Sequence, residues 1–185
     1  MQVLRRRQAG ELSSEEFNRI ADEAVLAAIK YQEDAGVDIV TDGEMRRDNF
    51  GVHVCRGNWS RKEEVLLKGN YGPLLPYLMQ MNVDQLVLEM ATPRAGELEV
   101  FKEYRNEKEI GLGVVNPRTD EVEDPARIVQ QVKRVLQFFA PEKIYLNPDC
   151  GFGTFAERCV NTPETAYRKL KAIHEAAQML RQEYA

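Results

Sequence analysis

The sequence predicts an α/β fold in which parallel strands alternate with helices, arranged either as a doubly wound open sheet or as a (β/α) barrel. Short apolar runs alternate with amphipathic segments along the whole chain, and no low-complexity linker divides them, so a single domain over residues 1–185 is expected. The polar residues able to carry chemistry follow the predicted strands. Because a barrel places its active site at the carboxyl ends of its strands, this placement favours the barrel.

The first predicted element is a long helix over residues 13–35, where apolar residues recur at helical spacing. Ser14 can cap its amino end, and Gly36 stands where a helix-ending glycine is expected. A short apolar run at 37–40 is then predicted as a strand, and the polar residues 41–44 as the loop that leaves it.

The rest of the chain repeats a strand and a helix, and prolines mark where several helices begin. Pro73 and Pro163 stand in predicted first turns, and Asp124 precedes Pro125 as a cap. One apolar face of the last helix consists of Leu170, Ile173, Ala177 and Leu180. The elements are predicted, in order, as a strand at 51–55, a helix at 72–81, a strand at 85–89, a helix at 96–105, a strand at 110–115, a helix from 124 to about 139, a strand at 143–146 and a helix from 163 onward.

This pattern contains fewer strands than a closed barrel needs. A closed barrel has eight strands and typically about 250 residues. The chain has 185 residues. The sequence therefore predicts a barrel that is incomplete within the chain.

Composition excludes several classes of protein. Lys and Arg number 25 against 30 Asp and Glu, for a net charge of -5, which argues against a dedicated nucleic-acid binder because phosphate neutralisation needs a basic face. No apolar run reaches the roughly 18 residues of a membrane span. Three widely spaced cysteines make a poor disulfide framework, so reduced thiols and a cytoplasmic location are expected.

A histidine, two cysteines and a glutamate follow predicted strands in a pattern that suits a metal ion. His53 and Cys55 are two residues apart, so on a strand they share a face. Cys150 lies in a glycine-bearing loop after a later strand, and Glu89 ends the strand between them. Such donors suit tetrahedral zinc, which can hold a substrate thiol as its thiolate. The residues alone leave open a buried histidine beside a buried cysteine, and Cys159 is interpreted as a bystander.

Five segments of the chain occur in an order that resembles one enzyme family. They are Thr-Asp-Gly-Glu-Met-Arg-Arg (41–47), Val-His-Val-Cys-Arg-Gly-Asn (52–58), Leu-Glu-x4-Arg-Ala-Gly (88–96), Ile-Gly-Leu-Gly-Val-Val (110–115) and Leu-Asn-Pro-Asp-Cys-Gly-Phe (146–152). Together they resemble the C-terminal catalytic domain of cobalamin-independent methionine synthase, and especially its short single-domain relatives. The resemblance covers nearly the whole chain, and its specific parts are the Asn-Pro-Asp-Cys-Gly loop and the His-x-Cys strand.

This resemblance implies a TIM (β/α)8-type barrel and a zinc enzyme of methionine biosynthesis. The zinc ligands that it implies are His53, Cys55, Glu89 and Cys150. Homocysteine would bind zinc through its thiol and take a methyl group from a reduced folate of the 5-methyltetrahydrofolate type, giving methionine. By the same match, Glu44 would hold the amino group of homocysteine.

Other polar residues are candidates for contacts with the substrate or with the ligand loop. Asp149, beside the second cysteine, would orient that loop and is grouped with Glu44 as a substrate-binding candidate; a turn-forming Asp after proline is the alternative. Arg46, Arg47 and Arg56 could meet a carboxylate, and a solvated surface position is the alternative for each.

The chain departs from the family pattern at two places. It begins after the strand whose Gly-Ser motif binds the substrate carboxylate in the family, and a long segment that the family has between Phe50 and Gly51 is absent. We expect the missing barrel strands to correspond to these two segments. A sheet with open edges would pair with another copy or with another chain, and a dimer or larger assembly is expected.

Two other functions are compatible with the same residues. One is alkyl transfer to another thiol, as in epoxyalkane:coenzyme M transferase, which the scaffold also resembles. The other is a zinc-binding remnant without catalysis. Glu44 favours an amino-acid thiol, because coenzyme M has no ammonium group to pair with it. The expected small-molecule partners are therefore homocysteine and a methyl donor, and neither nucleic acid nor a membrane is expected.

Overall fold

The computed structural model describes residues 6, 10–38, 51–58, 60–96, 98–104, 108–153 and 159–184. Short 3-10 helices lie at Glu63–Val65, Pro93–Ala95, Leu98–Glu103 and Pro141–Lys143. In chain order, the longer elements are α1 (Ser14–Asp34), β1 (Gly51–Val54), α2 (Leu75–Gln80), β2 (Gln85–Leu88), β3 (Glu109–Val115), α3 (Pro125–Val135), β4 (Ile144–Pro148) and α4 (Pro163–Tyr184).

The strands form one parallel sheet in the order β1-β2-β3-β4. One row of register partners runs from His53 through Val87 and Gly111 to Tyr145. Parallel pairing of successive strands requires a crossover each time, and helical segments between the strands supply it. The carboxyl ends of the strands therefore meet at one edge of the sheet, as the sequence predicted.

The core is formed by the sheet together with α2, α3, α4 and the 3-10 helix Leu98–Glu103. The central strand β3 is buried from Ile110 to Val115, as expected for a parallel strand covered on both faces. Asp124 caps α3 by accepting a hydrogen bond from the N–H of Ala126. The face that α3 buries consists of Ile128, Val129, Val132 and Val135.

Two glycines on β3 allow polar side chains of the neighbouring chain segments to approach the sheet closely. A Cβ at Gly111 would lie 2.9 Å from Oδ1 of Asn147. A Cβ at Gly113 would lie 2.8 Å from the carbonyl oxygen of Leu88 and would overlap the carboxylate of Asp149. At both positions the missing side chain leaves room for a polar group. Any larger residue at position 113 would displace Asp149.

The amino end of α1 is a capping box built on Ser13 rather than on Ser14. The hydroxyl oxygen of Ser13 accepts from the backbone N–H of Glu16, and the Glu16 carboxylate accepts from the N–H of Ser13. The predicted cap was wrong by one residue, because two adjacent serines precede the same apolar repeat. Gly36 follows the helix with φ of 78°, which confirms its predicted helix-ending role.

Several predicted helices differ in extent or type. The segment at 72–81 is α-helical only within α2, and the segment at 96–105 contains a 3-10 helix at Leu98–Glu103 instead of an α-helix. α3 ends at Val135 rather than near residue 139. None of the described helices is both long enough and apolar enough to cross a lipid bilayer.

The predicted strand at 37–40 and the polar loop at 41–44 fall largely outside the described residues. Residues 37 and 38 are described and do not form a strand. Residues 39–44 lie outside the described ranges. For residues 39 and 40, the second half of this predicted strand, the strand therefore stays a prediction.

The buried face of α4 contains a lysine that amphipathic patterning did not predict. Of the predicted apolar face, Ile173 is buried, whereas the other three residues are only partly buried. Lys169 is buried completely, and its ammonium group donates to the Glu123 carboxylate at 3.0 Å and to the carbonyl oxygen of Glu121. A buried lysine is tolerated only where another element supplies its partners, and these lie in the loop between β3 and α3.

Candidate metal centre

Four side chains with metal-binding atoms meet at the carboxyl edge of the sheet. β1 carries His53, and Cys55 follows its last residue. Glu89 directly follows β2, and Cys150 lies just beyond β4. One ligand atom from each of the four residues lies within 4.8 Å of all the others. The structure thus brings together all four residues that the sequence analysis named as metal ligands.

The spacing of these ligand atoms suits a small tetrahedral ion. Sγ of Cys150 lies 3.3 Å from Nε2 of His53 and 3.5 Å from Sγ of Cys55. It also lies 3.3 Å from Oε1 of Glu89. Metal–ligand bonds of about 2.0–2.3 Å directed to the corners of a tetrahedron separate the ligand atoms by roughly 3.3–3.8 Å. Two thiols, an imidazole and a carboxylate are typical zinc donors, so these residues fit a zinc ion.

The neighbouring strand favours one tautomer of the His53 ring. Nδ1 of His53 lies 3.2 Å from the carbonyl oxygen of Val87, which can only accept a hydrogen bond. The proton therefore belongs on Nδ1, and Nε2 keeps its lone pair for the cluster. A backbone carbonyl behind a ligating histidine orients the ring and makes it a better donor.

Glu89 is buried completely and is held from several sides. The backbone N–H of Arg56 donates to Oε1 at 2.9 Å, and the Arg94 guanidinium donates to Oε2 at 3.0 Å. The hydroxyl of Tyr71 donates to the carbonyl oxygen of Glu89 and accepts from its N–H. Burial by itself raises the pKa of Glu89, but hydrogen bonds, including those from Arg56 and Arg94, outweigh burial and lower the pKa below its usual value. Glu89 is therefore an ionised candidate ligand at neutral pH.

The two cysteines of the cluster differ in their surroundings. Cys55 is exposed, whereas Cys150 is partly buried. Burial raises the pKa of the Cys150 thiol far above its usual value, and the neighbouring Cys55 and Glu89 raise it further. In the absence of a cation the Cys150 sulfur is thus protonated at neutral pH. A divalent cation would favour the thiolate, as zinc does for the thiols that bind it.

Asp149 connects two ligand-bearing loops. Its side chain is 1% exposed, and Oδ1 accepts hydrogen bonds from the N–H groups of Met90 at 2.8 Å and Ala91 at 2.9 Å. Burial raises the pKa of Asp149 to about 7, and the charge of Glu89 adds to this rise while the two N–H groups oppose it. The carboxylate therefore joins the loop that begins with Glu89 to the loop that carries Cys150.

Three other predicted site residues lie outside the described residues. They are Glu44, the candidate for the substrate amino group, and the candidate anion-binding residues Arg46 and Arg47. Cys159 is exposed and does not belong to the cluster of four, which agrees with its interpretation as a bystander.

Arg56 has neither of the two roles predicted for it. It is 5% exposed, and its guanidinium donates to the carbonyl oxygens of Leu67 and Gly69. It also lies over the ring of Tyr71, 4.8 Å from the centroid. Arg56 therefore holds the loop beneath Glu89 together. Its guanidinium is buried against backbone carbonyls, so it neither lies on the surface nor faces a substrate carboxylate.

The sequence analysis did not identify Arg94 and Tyr71 as parts of this site. Arg94 and Glu89 both lie in the Leu-Glu-x4-Arg-Ala-Gly segment (88–96), so membership in that segment was the available signal. Tyr71 is 18 positions from Glu89, in a loop, and no periodicity connects the two. Its contact with Glu89 could be found only from the fold.

Comparison with known proteins supports the resemblance. A family model described as "Cobalamin-independent synthase, Catalytic domain" matches residues 67–179. Methionine synthase of Saccharolobus solfataricus is 31% identical over 163 residues, which are 88% of this chain and 44% of that protein. Methionine synthase of Thermococcus kodakarensis is 30% identical over 166 residues, which are 90% of this chain and 40% of that protein. The chain thus spans less than half the length of these relatives.

Solved structures of similar fold are described as B12-independent methionine synthases. One, from Shewanella sp. W3-18-1 in complex with selenomethionine, has a TM-score of 0.61 and 20% identity, covering 90% of this chain and 45% of that chain. Another, a putative enzyme from Listeria monocytogenes, has a TM-score of 0.52 and 19% identity, covering 90% of this chain and 54% of that chain. These structures are TIM barrels, so the predicted fold class, a (β/α)8-type barrel that is incomplete within this chain, is confirmed.

Proposed function

Because the chain belongs to the cobalamin-independent methionine synthase family, we propose that it methylates the thiol of homocysteine to give methionine. The methyl donor in this proposal is a reduced folate of the 5-methyltetrahydrofolate type. The cofactor is a zinc ion held by His53, Cys55, Glu89 and Cys150. The observation that carries the proposal is the meeting of these four ligand atoms, within 4.8 Å of one another, at the carboxyl edge of the sheet.

The zinc ion would supply the positive charge that keeps the substrate thiol in its thiolate form. The chain's own residues hold and orient this site. Glu89, on the inner side of the cluster, and Asp149 behind it are buried, whereas His53 and Cys55 are exposed. An incoming thiol would therefore approach from the side of β1. The Val87 carbonyl keeps the Nδ1 proton of His53 turned away from that approach.

The remaining parts of the proposal concern the substrate and the setting of the protein. Glu44 is proposed to hold the ammonium group of homocysteine, and Asp149 to keep the Cys150 loop in place beside the substrate. Residues 1–185 are proposed to form one domain. Thiol ligands need a reducing compartment, so a cytoplasmic location is proposed. Within the described part of the chain β1 and β4 each have one neighbouring strand, so pairing with a second copy is proposed as well.

Homocysteine is favoured over coenzyme M as the thiol. The relatives and solved structures named above are methionine synthases, and the proposed pairing of Glu44 requires an amino group on the substrate. A zinc-binding remnant without catalysis would keep the metal but would not respond to homocysteine, so a metal measurement with and without the thiol separates it from the enzyme.

The test compares the zinc content of three purified proteins: the wild type, Cys150→Ser and Cys159→Ser. We expect about one zinc ion per chain in the wild type and in Cys159→Ser, and little zinc in Cys150→Ser, because Cys150 belongs to the cluster and Cys159 does not. Adding homocysteine to the zinc-loaded wild type is expected to move its zinc X-ray absorption edge toward more sulfur ligation, because the substrate thiolate would join the ligands.

Each result has a distinct meaning for the proposal. A wild type without zinc would overturn the metal site itself. Zinc that is bound but does not respond to homocysteine would contradict the activation of this thiol and favour the remnant. Equal zinc loss in Cys150→Ser and Cys159→Ser would show that the assignment of ligands is wrong.

A further inference from the structure

We propose that Arg94 is a positioning residue that keeps one carboxylate oxygen of Glu89 away from the metal and so makes Glu89 a one-oxygen ligand. The inference rests on the proposed zinc site and adds to it a residue that contacts neither ion nor substrate. Arg94 forms an ion pair with Glu89 at 3.0 Å, and the side chains of Arg94 and Glu89 are 7% and 0% exposed.

The two oxygens of Glu89 have different partners. Oε1 lies 3.3 Å from Sγ of Cys150 and accepts the backbone N–H of Arg56 at 2.9 Å. Oε2 accepts from the Arg94 guanidinium. Oε1 therefore faces the cluster of ligand atoms, and Oε2 faces the arginine. A metal ion bound by both oxygens would require Oε2 to give up its charged donor.

Charge gives Arg94 a second effect on the same site. A completely buried carboxylate needs a paired charge, because an isolated one is strongly destabilised. Two cysteine thiolates and Glu89 together carry one negative charge more than a divalent ion neutralises. The positive guanidinium of Arg94, 3.0 Å from Oε2 of Glu89, offsets this excess without entering the ligand shell.

Arg94 is itself held in a fixed position. One of its nitrogens donates to the carbonyl oxygen of Leu67 at 2.8 Å, and the Arg56 guanidinium donates to that same oxygen at 3.0 Å. Arg94 also lies within the 3-10 helix Pro93–Ala95. A donor fixed in this way sets the direction of the carboxylate that it binds, which is how partners of metal ligands raise metal affinity.

A simple structural ion pair is the competing explanation, and it makes a different prediction. A structural Arg94 would stabilise the fold whether or not Glu89 binds metal. A positioning Arg94 acts on the metal only through the Glu89 carboxylate. The two explanations therefore separate in a double-mutant cycle between Arg94 and Glu89, measured on zinc affinity rather than on activity.

The experiment measures zinc dissociation constants by competition with a chromophoric chelator. The proteins compared are the wild type, Arg94→Met, Arg94→Lys, Glu89→Gln and the double variant Arg94→Met/Glu89→Gln. We expect Arg94→Met to weaken zinc binding about 10- to 100-fold. Arg94→Lys should lose less, because an ammonium still pairs with Oε2. In the Glu89→Gln background, Arg94→Met should change the affinity by less than about threefold.

Zinc X-ray absorption gives a second readout that a structural role would not move. Arg94→Met should add one oxygen to the zinc ligands, because Oε2 is then released toward the metal. The control variant is Arg61→Met, which removes an arginine–carboxylate pair with Asp120 away from the cluster. It should leave both the zinc affinity and the ligand number at the wild-type values.

Wild-type affinity in Arg94→Met, or an equal loss in the Glu89→Gln background, would overturn the inference. If Arg94→Met does not fold, Arg94→Lys with and without Glu89→Gln makes the same comparison. If the wild type binds zinc and the Arg94 variants bind it with the same affinity, this inference is overturned but the proposed function stands. A wild type that binds no zinc would overturn the proposed function and this inference together.

Discussion

At the scale of single residues, Gly113 controls how closely the ligand-bearing loops approach each other. The Asp149 carboxylate crosses the space that a Cβ at Gly113 would occupy and reaches the N–H groups of Met90 and Ala91. Asp149 immediately precedes Cys150 in the chain. The candidate ligands can therefore take their arrangement only because position 113 is a glycine.

Gly113→Ala is expected to lower the free energy of unfolding by about 3 kcal/mol, because the new methyl group collides with Asp149 and with the carbonyl oxygen of Leu88. It should also weaken zinc binding, because Asp149 must leave the ligand loops. Urea unfolding and a zinc titration measure the two effects. The control is Gly151→Ala, whose Cβ would meet no described atom within 4 Å. Equal stability of the two variants would contradict this account of position 113.

At the scale of elements, Lys169 attaches α4 to the loop between β3 and α3. Its ammonium group lies 3.0 Å from Oε2 of Glu123, while Oε1 of Glu123 accepts the N–H of Asn116 at 2.8 Å. One carboxylate thus connects the final helix to the residue that directly follows β3. The side chain of Lys169 is 0% exposed and that of Glu123 is 22% exposed, so the pair is largely shielded from water.

Lys169→Met is expected to lower the free energy of unfolding by about 3 kcal/mol, because Glu123 keeps its charge in a poorly solvated place without its partner. Denaturant unfolding measured by circular dichroism tests this value. Lys171→Met, on the exposed side of the same helix, should change the stability by less than about 0.5 kcal/mol.

The double variant Lys169→Met/Glu123→Gln checks the cause of that loss. It should recover part of the stability, because replacing both members of a buried pair costs less than removing one. A double variant that is less stable than Lys169→Met alone would show that the pair itself, rather than the stranded charge, is the source of the stability.

At the scale of the whole molecule, zinc held at the candidate metal centre would couple metal binding to folding. Its ligands come from three strands, and Cys150 is 61 positions from Glu89 and 97 positions from His53. An unfolded chain cannot hold such distant groups within a few ångström of one another. Zinc should therefore bind the folded state far more tightly than the unfolded state.

Removal of zinc is expected to lower the melting temperature by about 10 °C. Free zinc at 1,000 times its dissociation constant stabilises a folded protein by about 4 kcal/mol, and about 1 kcal/mol moves the transition of a chain of this size by 2–4 °C. Calorimetry with zinc and after chelation measures the shift. Cys150→Ser should melt at the same temperature under both conditions, and the same constancy in the wild type would contradict the coupling.

Much of the fold was predictable because strands and helices leave local periodic patterns. The strands at β1, β2, β3 and β4, their parallel pairing and the capped start of α3 follow from apolar runs, crossover helices and an Asp-Pro pair. Errors occurred where local signals compete or end gradually. Ser13 and Ser14 are equivalent by spacing, and the short segment at 98–103 forms a 3-10 helix although its composition also suits an α-helix.

By itself, the sequence determined which side chains offer metal-binding atoms and at which edge of the sheet they stand. Donor type belongs to each side chain, and the place after a strand is a local property, so His53, Cys55, Glu89 and Cys150 could be named in advance. Only the tertiary structure decided what surrounds Glu89. The contact between Tyr71 and Glu89 spans 18 positions of the chain, and the contact between Arg56 and Glu89 spans 33. The nearby contact between Met90 and Asp149 spans 59. Contacts of this kind arise from packing, in which a buried charge takes the partners that the fold brings near, and no sequence period records them.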